Sequence, residues 1–514
     1  MKYLSTLALL FFVFTANAQT KEQLDTDVPA HIQKWLSEKT AFKKSKARSK
    51  AFFLRDSIKI VGYIKGYDRS SGYASGIIYH ANNIIRQDFP TTVRIYPDGR
   101  FECAMLGIHP IRSSIYLNNH TIKFYAEPGT TTGLILDFQN PKYLGVNKVI
   151  NEQLAAIETP RPDYNKLNDY VKTQAPEDFK KVQLQEWDKA RRVADSAMNA
   201  KRTSKNVRRL IESQVDLDYA VYLFDYESNR SYYQKQEPDN AILKMPMRAD
   251  YFDYLKKIDM NDQSLLVSND FSTFVNRFEF SPAFQRQLLH QANKFGYKQL
   301  DSAYLANNKK TNLVYDIAKL RALTSNFRFY QYKERTFADE TAALSKAMRD
   351  PFVLSEMNAA YERYKLGNVA YELPNTPAAA VFKKIIGPSK GKVLIVDFWA
   401  EWCGPCRAGI ESSLALRTKY KDNPDFEYVF VTDSESTAAV FYEDYTKKNL
   451  MTNTHRIPAD DYLALRELFK FNGIPRYVLV TADGKIQDDN FASHNMKSEF
   501  QKYFPEKFPI DYWK

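Results

Sequence analysis

Of the three cysteines in the 514 residues, at Cys103, Cys403 and Cys406, only the last two are close enough in sequence to act on each other. The segment Trp402-Cys403-Gly404-Pro405-Cys406 separates them by two residues. That spacing suits thiol–disulfide exchange, in which one thiolate attacks a disulfide sulfur and a second thiol resolves the mixed disulfide. A free thiol has a pKa of about 8.5, so the attacking cysteine needs an electropositive setting to ionise near neutrality. The flanking residues supply one. Val393 to Phe398 is a continuous apolar run broken only by Asp397, as a strand buried on both faces requires, and Ile410 and Leu414 continue at helical spacing. The pair therefore falls at a strand-to-helix junction, where free N–H groups and the helix dipole stabilise a thiolate. Cys403 is the expected nucleophile. Cys406, one turn further in, is the expected resolving thiol.

The run Val396-Asp397-Phe398-Trp399-Ala400-Glu401-Trp402-Cys403-Gly404-Pro405-Cys406 resembles the active-site segment of thioredoxin almost residue for residue. The resemblance implies that Asp397 is a buried acid behind the cysteines that exchanges a proton with Cys406. A carboxyl whose pKa is raised by burial can do so near neutrality. Gly473-Ile474-Pro475, just before an expected strand Arg476 to Val480, resembles the family's second signature. It implies a cis Pro475 facing the cysteines, with the backbone of Ile474 holding an extended substrate as an added strand. Trp402, Gly404 and Pro405 complete the implied substrate surface.

The remaining order fits the same family: strand Phe426 to Val431, helix Thr437 to Lys448, helix Asp461 to Phe471, a hairpin around Asp483-Gly484, and a last helix Met496 to Tyr503. The segment between Val431 and Pro475 is longer than in plain thioredoxin and is expected to hold an additional strand or helix. In this it resembles the exported TlpA-like and ResA-like thiol-disulfide oxidoreductases. One departure concerns the active-site helix: Glu411 stands where thioredoxin has a helix-kinking proline, with Gly409 nearby to loosen the turn.

Competing chemistries lack their residues. A zinc site needs further cysteine or histidine ligands at a recognisable spacing, so no metal is expected. Covalent haem needs a histidine where Arg407 stands. A peroxidatic cysteine, as in peroxiredoxins, is not expected inside a Trp-Cys-Gly-Pro-Cys motif. No cofactor is expected beyond a redox-active Cys403–Cys406 disulfide.

The chain is long for one hydrophobic core, and at about 150 residues per domain it divides into three compact units. Its apolar fraction of 44% supports globular folding. The net charge of +12 comes from 73 basic and 61 acidic residues that are interspersed, as on a solvated surface. Even the basic stretch Lys43, Lys44, Lys46, Arg48 and Lys50 reads as a soluble helix face or tether, and no nucleic-acid partner is expected.

Residues 1–18 have the parts of a secretory signal peptide: Lys2, an apolar run from Leu4 to Phe14, and Ala16-Asn17-Ala18 as a cleavage site. Cleavage leaves Gln19 first; a retained leader would act as a membrane tether. Residues 19–56 form an N-terminal segment. Residues 57–146 read as an antiparallel β domain, with runs Ile58 to Ile64, Thr92 to Tyr96, Ser114 to Leu117 and Leu134 to Phe138, and a hairpin at Asp98-Gly99. Alternation puts Phe101, Cys103 and Met105 on one inward face, which makes Cys103 a core residue. Residues 147–367 are helical, with Pro176-Glu177-Asp178 opening one helix and tyrosines such as Tyr219, Tyr222, Tyr232 and Tyr233 serving as packing. Pro374, Pro377, Gly387, Pro388 and Gly391 punctuate the entry into a C-terminal α/β thioredoxin fold over 368–514. The fold class is thus multidomain α+β.

The expected function is that of an exported thiol-disulfide oxidoreductase of the periplasm. Gly404-Pro405 is the thioredoxin dipeptide and favours a reductant. Its partners would be exported cysteine-containing proteins, with cytochrome c maturation among the processes the resemblance implies, and a membrane electron donor. The alternative from another class is a partner-binding or assembly protein in which the thioredoxin fold is a surface or a redox switch.

Overall fold

The computed structural model describes residues 27–41, 51–138, 140–248, 250–281, 284, 312–329, 350–366 and 369–513. The expected signal peptide and the Lys43 to Lys50 stretch lie outside the described residues.

Short β-branched and aromatic runs between turn residues give ten strands: β1 (Asp56–Ile64), β2 (Ser75–Ile78), β3 (Ala81–Asn82), β4 (Gln87–Asp88), β5 (Thr91–Ile95), β6 (Arg100–Gly107), β7 (Ile111–Leu117), β8 (His120–Ala126), β9 (Thr131–Leu136) and β10 (Lys142–Leu144). Eight of them form one sheet in the order β10-β9-β1-β6-β5-β2-β7-β8, while β3 and β4 make a separate two-stranded hairpin. Its pairs are antiparallel except β1 with β9, which run parallel. The Asp98-Gly99 turn joins β5 to β6, with Gly99 at φ +82, a conformation a side chain resists. Alternation buries Phe101 and Met105 against Ile58, Ile60 and Leu134, with Cys103 packed beside them. Cys103 is half-buried at the margin of this core, where desolvation pushes its thiol up to about 12, so at neutral pH it is un-ionised. A helix Ala30–Thr40 covers the sheet's other side, setting Ile32 and Leu36 against Val61, Tyr63 and Ile135.

The middle of the chain is helical. Pro176 occupies the first turn of Pro176–Ala200, with Glu177 and Asp178 at its positive end. The helix Lys205–Gln236 is apolar on several sides, as an element surrounded by others must be. Tyr219 and Tyr222 are buried in this core, whereas Tyr232 is exposed. The tip of the β3–β4 hairpin, Ile84 and Ile85, is buried in the same helical core.

The last five strands, β11 (Val393–Phe398), β12 (Phe426–Asp433), β13 (Thr454–Ile457), β14 (Arg476–Val480) and β15 (Ile486–Asp488), form a second sheet in the order β13-β12-β11-β14-β15. β11, β12 and β13 are parallel and β14 and β15 antiparallel. β13 is the additional element of the long segment before Pro475. The helices Pro377–Ile386 and Ala459–Leu468 cover one face, around Leu394, Val396 and Phe398. The other face packs Val393, Ile395 and Leu479 against the helix Met496–Tyr503. The helix Pro377–Ile386 falls where the prolines signalled only punctuation. Pro377 sits at its first turn, where no N–H is needed, and Thr376 caps it by accepting from Ala379 N–H at 3.2 Å.

This sheet docks on the first through the helix Ala459–Leu468. Asp460 accepts from Ala74 N–H at 3.0 Å and from the Ser75 hydroxyl, Glu467 accepts from Thr92 N–H at 3.0 Å, and the Arg466 guanidinium lies 5.7 Å from the Tyr79 ring centre.

Phe398, wholly buried against Tyr462, Phe469 and Phe471 at ring distances of 5.1 to 5.9 Å, anchors the strand that ends at the cysteines. Phe398→Ala leaves a cavity there and is expected to cost about 3–5 kcal/mol of stability, read as a lower urea midpoint of the C-terminal domain. A change under about 1 kcal/mol would show that β11 does not depend on this contact.

Candidate redox site

β11 delivers the chain to the front edge of its sheet, where Trp399 and Ala400 are buried and Trp402 projects, 65% exposed. Trp399 packs against Tyr442 and Tyr445 of the helix Ala439–Lys448. Glu401 fastens the same turn: its N–H donates to the Thr437 hydroxyl at 3.2 Å and its carboxylate accepts from Ala438 N–H at 3.0 Å, at the positive end of that helix.

Cys403 is the cap of the helix Gly404–Ser412, and its Sγ accepts from Cys406 N–H at 3.2 Å. Cys403 and Cys406 are joined as a disulfide, their Cα atoms 5.3 Å apart. Cys403 is 3% exposed and Cys406 0%, so only the first cysteine offers any surface to an incoming disulfide. Gly404 and Pro405 are exposed beside it. Sequence reasoning expected the nucleophile at this position, and the hydrogen bond and dipole that favour a thiolate are both directed at its sulfur.

Alternation along β11 turns Val396 and Phe398 to one face and Asp397 to the other, the face covered by the active-site helix. Tyr477, the cross-strand partner of Asp397, brings its hydroxyl against Gly409 of that helix. A Cβ at Gly409 would stand 2.9 Å from this oxygen, so the glycine permits the helix to lie close over Tyr477. Asp397 is buried, and its Oδ1 has no hydrogen-bond partner among the described residues. Burial pushes the carboxyl up to about 8, with the Arg417 charge pulling in the opposite direction.

The active-site helix breaks without a proline. It ends at Ser412, and a second helix, Leu414–Lys419, begins after Ser413. Ser413 Oγ donates back to Ile410 O at 2.9 Å, and the Arg417 guanidinium takes the same carbonyl at 3.0 Å together with Asn449 O at 2.9 Å. Side-chain donors that compete for helix carbonyls bend a helix as a proline does. Glu411, at the proline's place, accepts from the Tyr445 hydroxyl at 3.1 Å. Glu401, Thr437 and Arg417 were not identified from sequence. Lone polar residues in a helix or turn carry no spacing signal, and a buried guanidinium looks the same in a sequence as a solvated one.

The Ile474–Pro475 peptide bond is cis. Ile474 packs against the cluster of Trp399, Cys403, Cys406 and Ile410, so this loop and the cysteine pair meet. Neither the N–H nor the C=O of Ile474 makes a hydrogen bond with the described residues, and Pro475 is exposed. The structure thus gathers Trp402, Cys403, Gly404, Pro405, Cys406, Asp397, Ile474 and Pro475 at one edge of the sheet.

The raised pKa of Asp397 has a stability consequence. The folded chain holds this proton more tightly than the unfolded chain, whose carboxyl titrates near 4. Its favourable contribution is complete below about pH 4 and is lost as pH rises toward about 8. Asp397→Asn is therefore expected to raise the melting temperature by several degrees at alkaline pH and to change it little near pH 4. Equal gains at both pH values would show that the carboxyl ionises at its ordinary value.

Residues 391–486 match a family model described as thioredoxin-like. "Probable nucleoredoxin 1" of Arabidopsis thaliana is 31% identical over 100 residues, which are 20% of this chain and only 17% of that protein. The thiol-disulfide oxidoreductase ResA of Oceanobacillus iheyensis is 22% identical over 143 residues, 26% of this chain and 70% of its own length. Among solved structures, the thioredoxin domain of a thiol-disulfide oxidoreductase from Bacteroides vulgatus matches at 23% identity and a TM-score of 0.21, covering 23% of this chain and 83% of that one. With a cysteine pair capping a helix at the edge of a five-stranded α/β sheet, the C-terminal domain of this chain is a thioredoxin-like domain.

Proposed function

We propose that this protein is an exported thiol-disulfide oxidoreductase that reduces disulfides of periplasmic proteins through the Cys403/Cys406 dithiol. The observation that carries this reading is the Cys403–Cys406 disulfide at a helix N-terminus, in contact with the cis-proline loop. In the reduced form the Cys403 thiolate attacks one sulfur of a substrate disulfide. The substrate S–S bond breaks, its second sulfur leaves as a thiolate that takes up a proton, and a mixed disulfide forms on Cys403. Cys406 then loses its proton to the Asp397 carboxylate and attacks the Cys403 sulfur, which releases the reduced substrate. Two electrons have passed to the substrate, and the pair is left as the observed disulfide. A raised carboxyl pKa matches Asp397 to this proton transfer, since a strong acid would not take the proton from a thiol.

Ile474 supplies an N–H and a C=O, unpaired among the described residues, with which an extended substrate segment can pair as a strand. Trp402, Gly404 and Pro405 form the exposed rim the substrate crosses. Regeneration of the dithiol requires an electron donor, which for an exported protein is a membrane protein. The signal-peptide pattern in residues 1–18 supports export to a periplasm, and a retained leader would tether the protein to the membrane. Exported cysteine-containing proteins, those of cytochrome c maturation among them, are the substrate class the resemblance suggests.

Insulin disulfide reduction by wild type and by Cys403→Ser tests the activity. Wild type is expected to turn over, and the variant to lose at least about a hundredfold in rate because the attacking sulfur is gone. An inactive wild type would sink the enzyme reading in favour of a binding or assembly role. A Cys406→Ser variant stalls at the mixed disulfide and should capture substrates covalently through Cys403. The redox potential tests direction: a value near about −270 mV fits a reductant, whereas one near about −120 mV would make the protein an oxidant.

A further inference from the structure

The loop Asn472–Pro475 is neither helix nor strand, and a loop of this kind needs fixing from outside. Within its own domain one side-chain bond holds its start: the Arg466 guanidinium donates to Asn472 O at 2.8 Å. The other two bonds on Asn472 come from the N-terminal β domain. Asn472 N–H donates to the Asp88 carboxylate at 2.9 Å, and its side-chain amide donates to His80 O at 2.9 Å.

Asp88 and His80 belong to, or adjoin, the small β3–β4 hairpin, in which Ala81 pairs with Asp88. The hairpin is itself pinned. Phe89 N–H donates to His80 O at 2.8 Å, the Asn82 amide donates to the buried Glu356 at 2.5 Å, and the buried Arg321 donates to Asn83 O at 2.8 Å. Its tip, Ile84 and Ile85, is sunk in the helical core. The hairpin therefore has one end fixed in the middle domain and the other on the loop that carries Ile474 and Pro475.

We infer that the β3–β4 hairpin is part of the substrate-binding site of the thioredoxin-like domain: Asp88 and Asn472 are positioning residues that hold the cis-proline loop in the shape that receives a substrate strand. This rests on the reading of Ile474-Pro475 as the substrate-holding loop. It gives the upstream domains a definite part in the reaction, since affinity for a disulfide substrate would depend on a residue about 300 positions before the cysteines. Loss of the clamp leaves the sulfur chemistry alone, because the strand, the helix cap and Asp397 are built wholly within the C-terminal domain.

The test uses the full chain with insulin as substrate. Removing one such bond in Asp88→Ala is expected to raise KM about three- to tenfold, with kcat within about twofold of wild type. The Cys403–Cys406 redox potential should not move. Asp88→Asn keeps an oxygen that can accept from Asn472 N–H and should restore a near wild-type KM. Asn472→Ala, which loses the bond to His80 O and keeps its own N–H, approaches the same clamp from the other side and serves if Asp88→Ala does not fold. Amide hydrogen exchange is the second readout, with Asn472, whose N–H the Asp88 carboxylate accepts, expected to exchange faster in Asp88→Ala. Unchanged exchange at the Asn472 amide would overturn the clamp, and faster exchange with an unchanged KM would overturn its role in substrate binding. If wild type fails to reduce insulin, the activity reading falls by itself and the substrate role with it, whereas the exchange comparison still decides whether the hairpin holds the loop.

Discussion

A sulfur at the end of a helix gains from the dipole only while the strand before it and the helix after it keep their relative placement. Cys403 accepts the N–H of Cys406 because β11 cannot shift. That strand is buried along its whole length, with Phe398 locked among aromatic rings on one face and Asp397 directed to the other. The turn between strand and helix is then fastened sideways by Trp399 and by the two hydrogen bonds of Glu401. Preorganisation of this kind fixes where the sulfur sits relative to the helix dipole.

The same face carries a cost. A carboxyl buried with one oxygen unpartnered among the described residues is unfavourable, and a chain selected for stability alone would have an apolar residue at Asp397. Its presence under the active-site helix fits the pattern in which local destabilisation accompanies chemistry. Arg417 moderates that cost from a distance. Its guanidinium is spent on the carbonyls of Ile410, Asn449 and Leu450, so it joins the active-site helix to the helix Ala439–Lys448 and lends only a long-range charge to the carboxyl. The bend that thioredoxin obtains from a proline is obtained here from Ser413 and Arg417.

Between domains the contacts are polar and directional, as is usual where compact units of one chain meet. Asp460, Glu467 and Asn472 each satisfy backbone groups or side chains of the β domain. Hydrogen bonds to backbone groups fix orientation more closely than apolar contact does, because they fail at small displacements. The thioredoxin-like domain therefore presents its cysteines at a set angle to the rest of the chain.

Much of the site was legible in the sequence because its signals are local. Cysteine spacing, the apolar run of β11, the Gly473-Ile474-Pro475 triplet and the alternation that buries Phe101 and Met105 are all properties of neighbouring residues, and each element's period reports which face it buries. The additional element before Pro475 was foreseen in kind, and the tertiary structure decided that it is the edge strand β13. The helix Pro377–Ile386 was hidden because proline reads as a breaker unless its place in the first turn is known. The parallel pairing of β1 with β9, the guanidinium of Arg417 turned inward, and the meeting of Asp88 with Asn472, 384 residues apart, had no signal at all. By itself the sequence determined which residues are candidates for the chemistry, since that depends on residue type and short spacing. Only the tertiary structure decided what surrounds the chemistry, because contacts between distant segments follow from how whole faces pack, which no local pattern encodes.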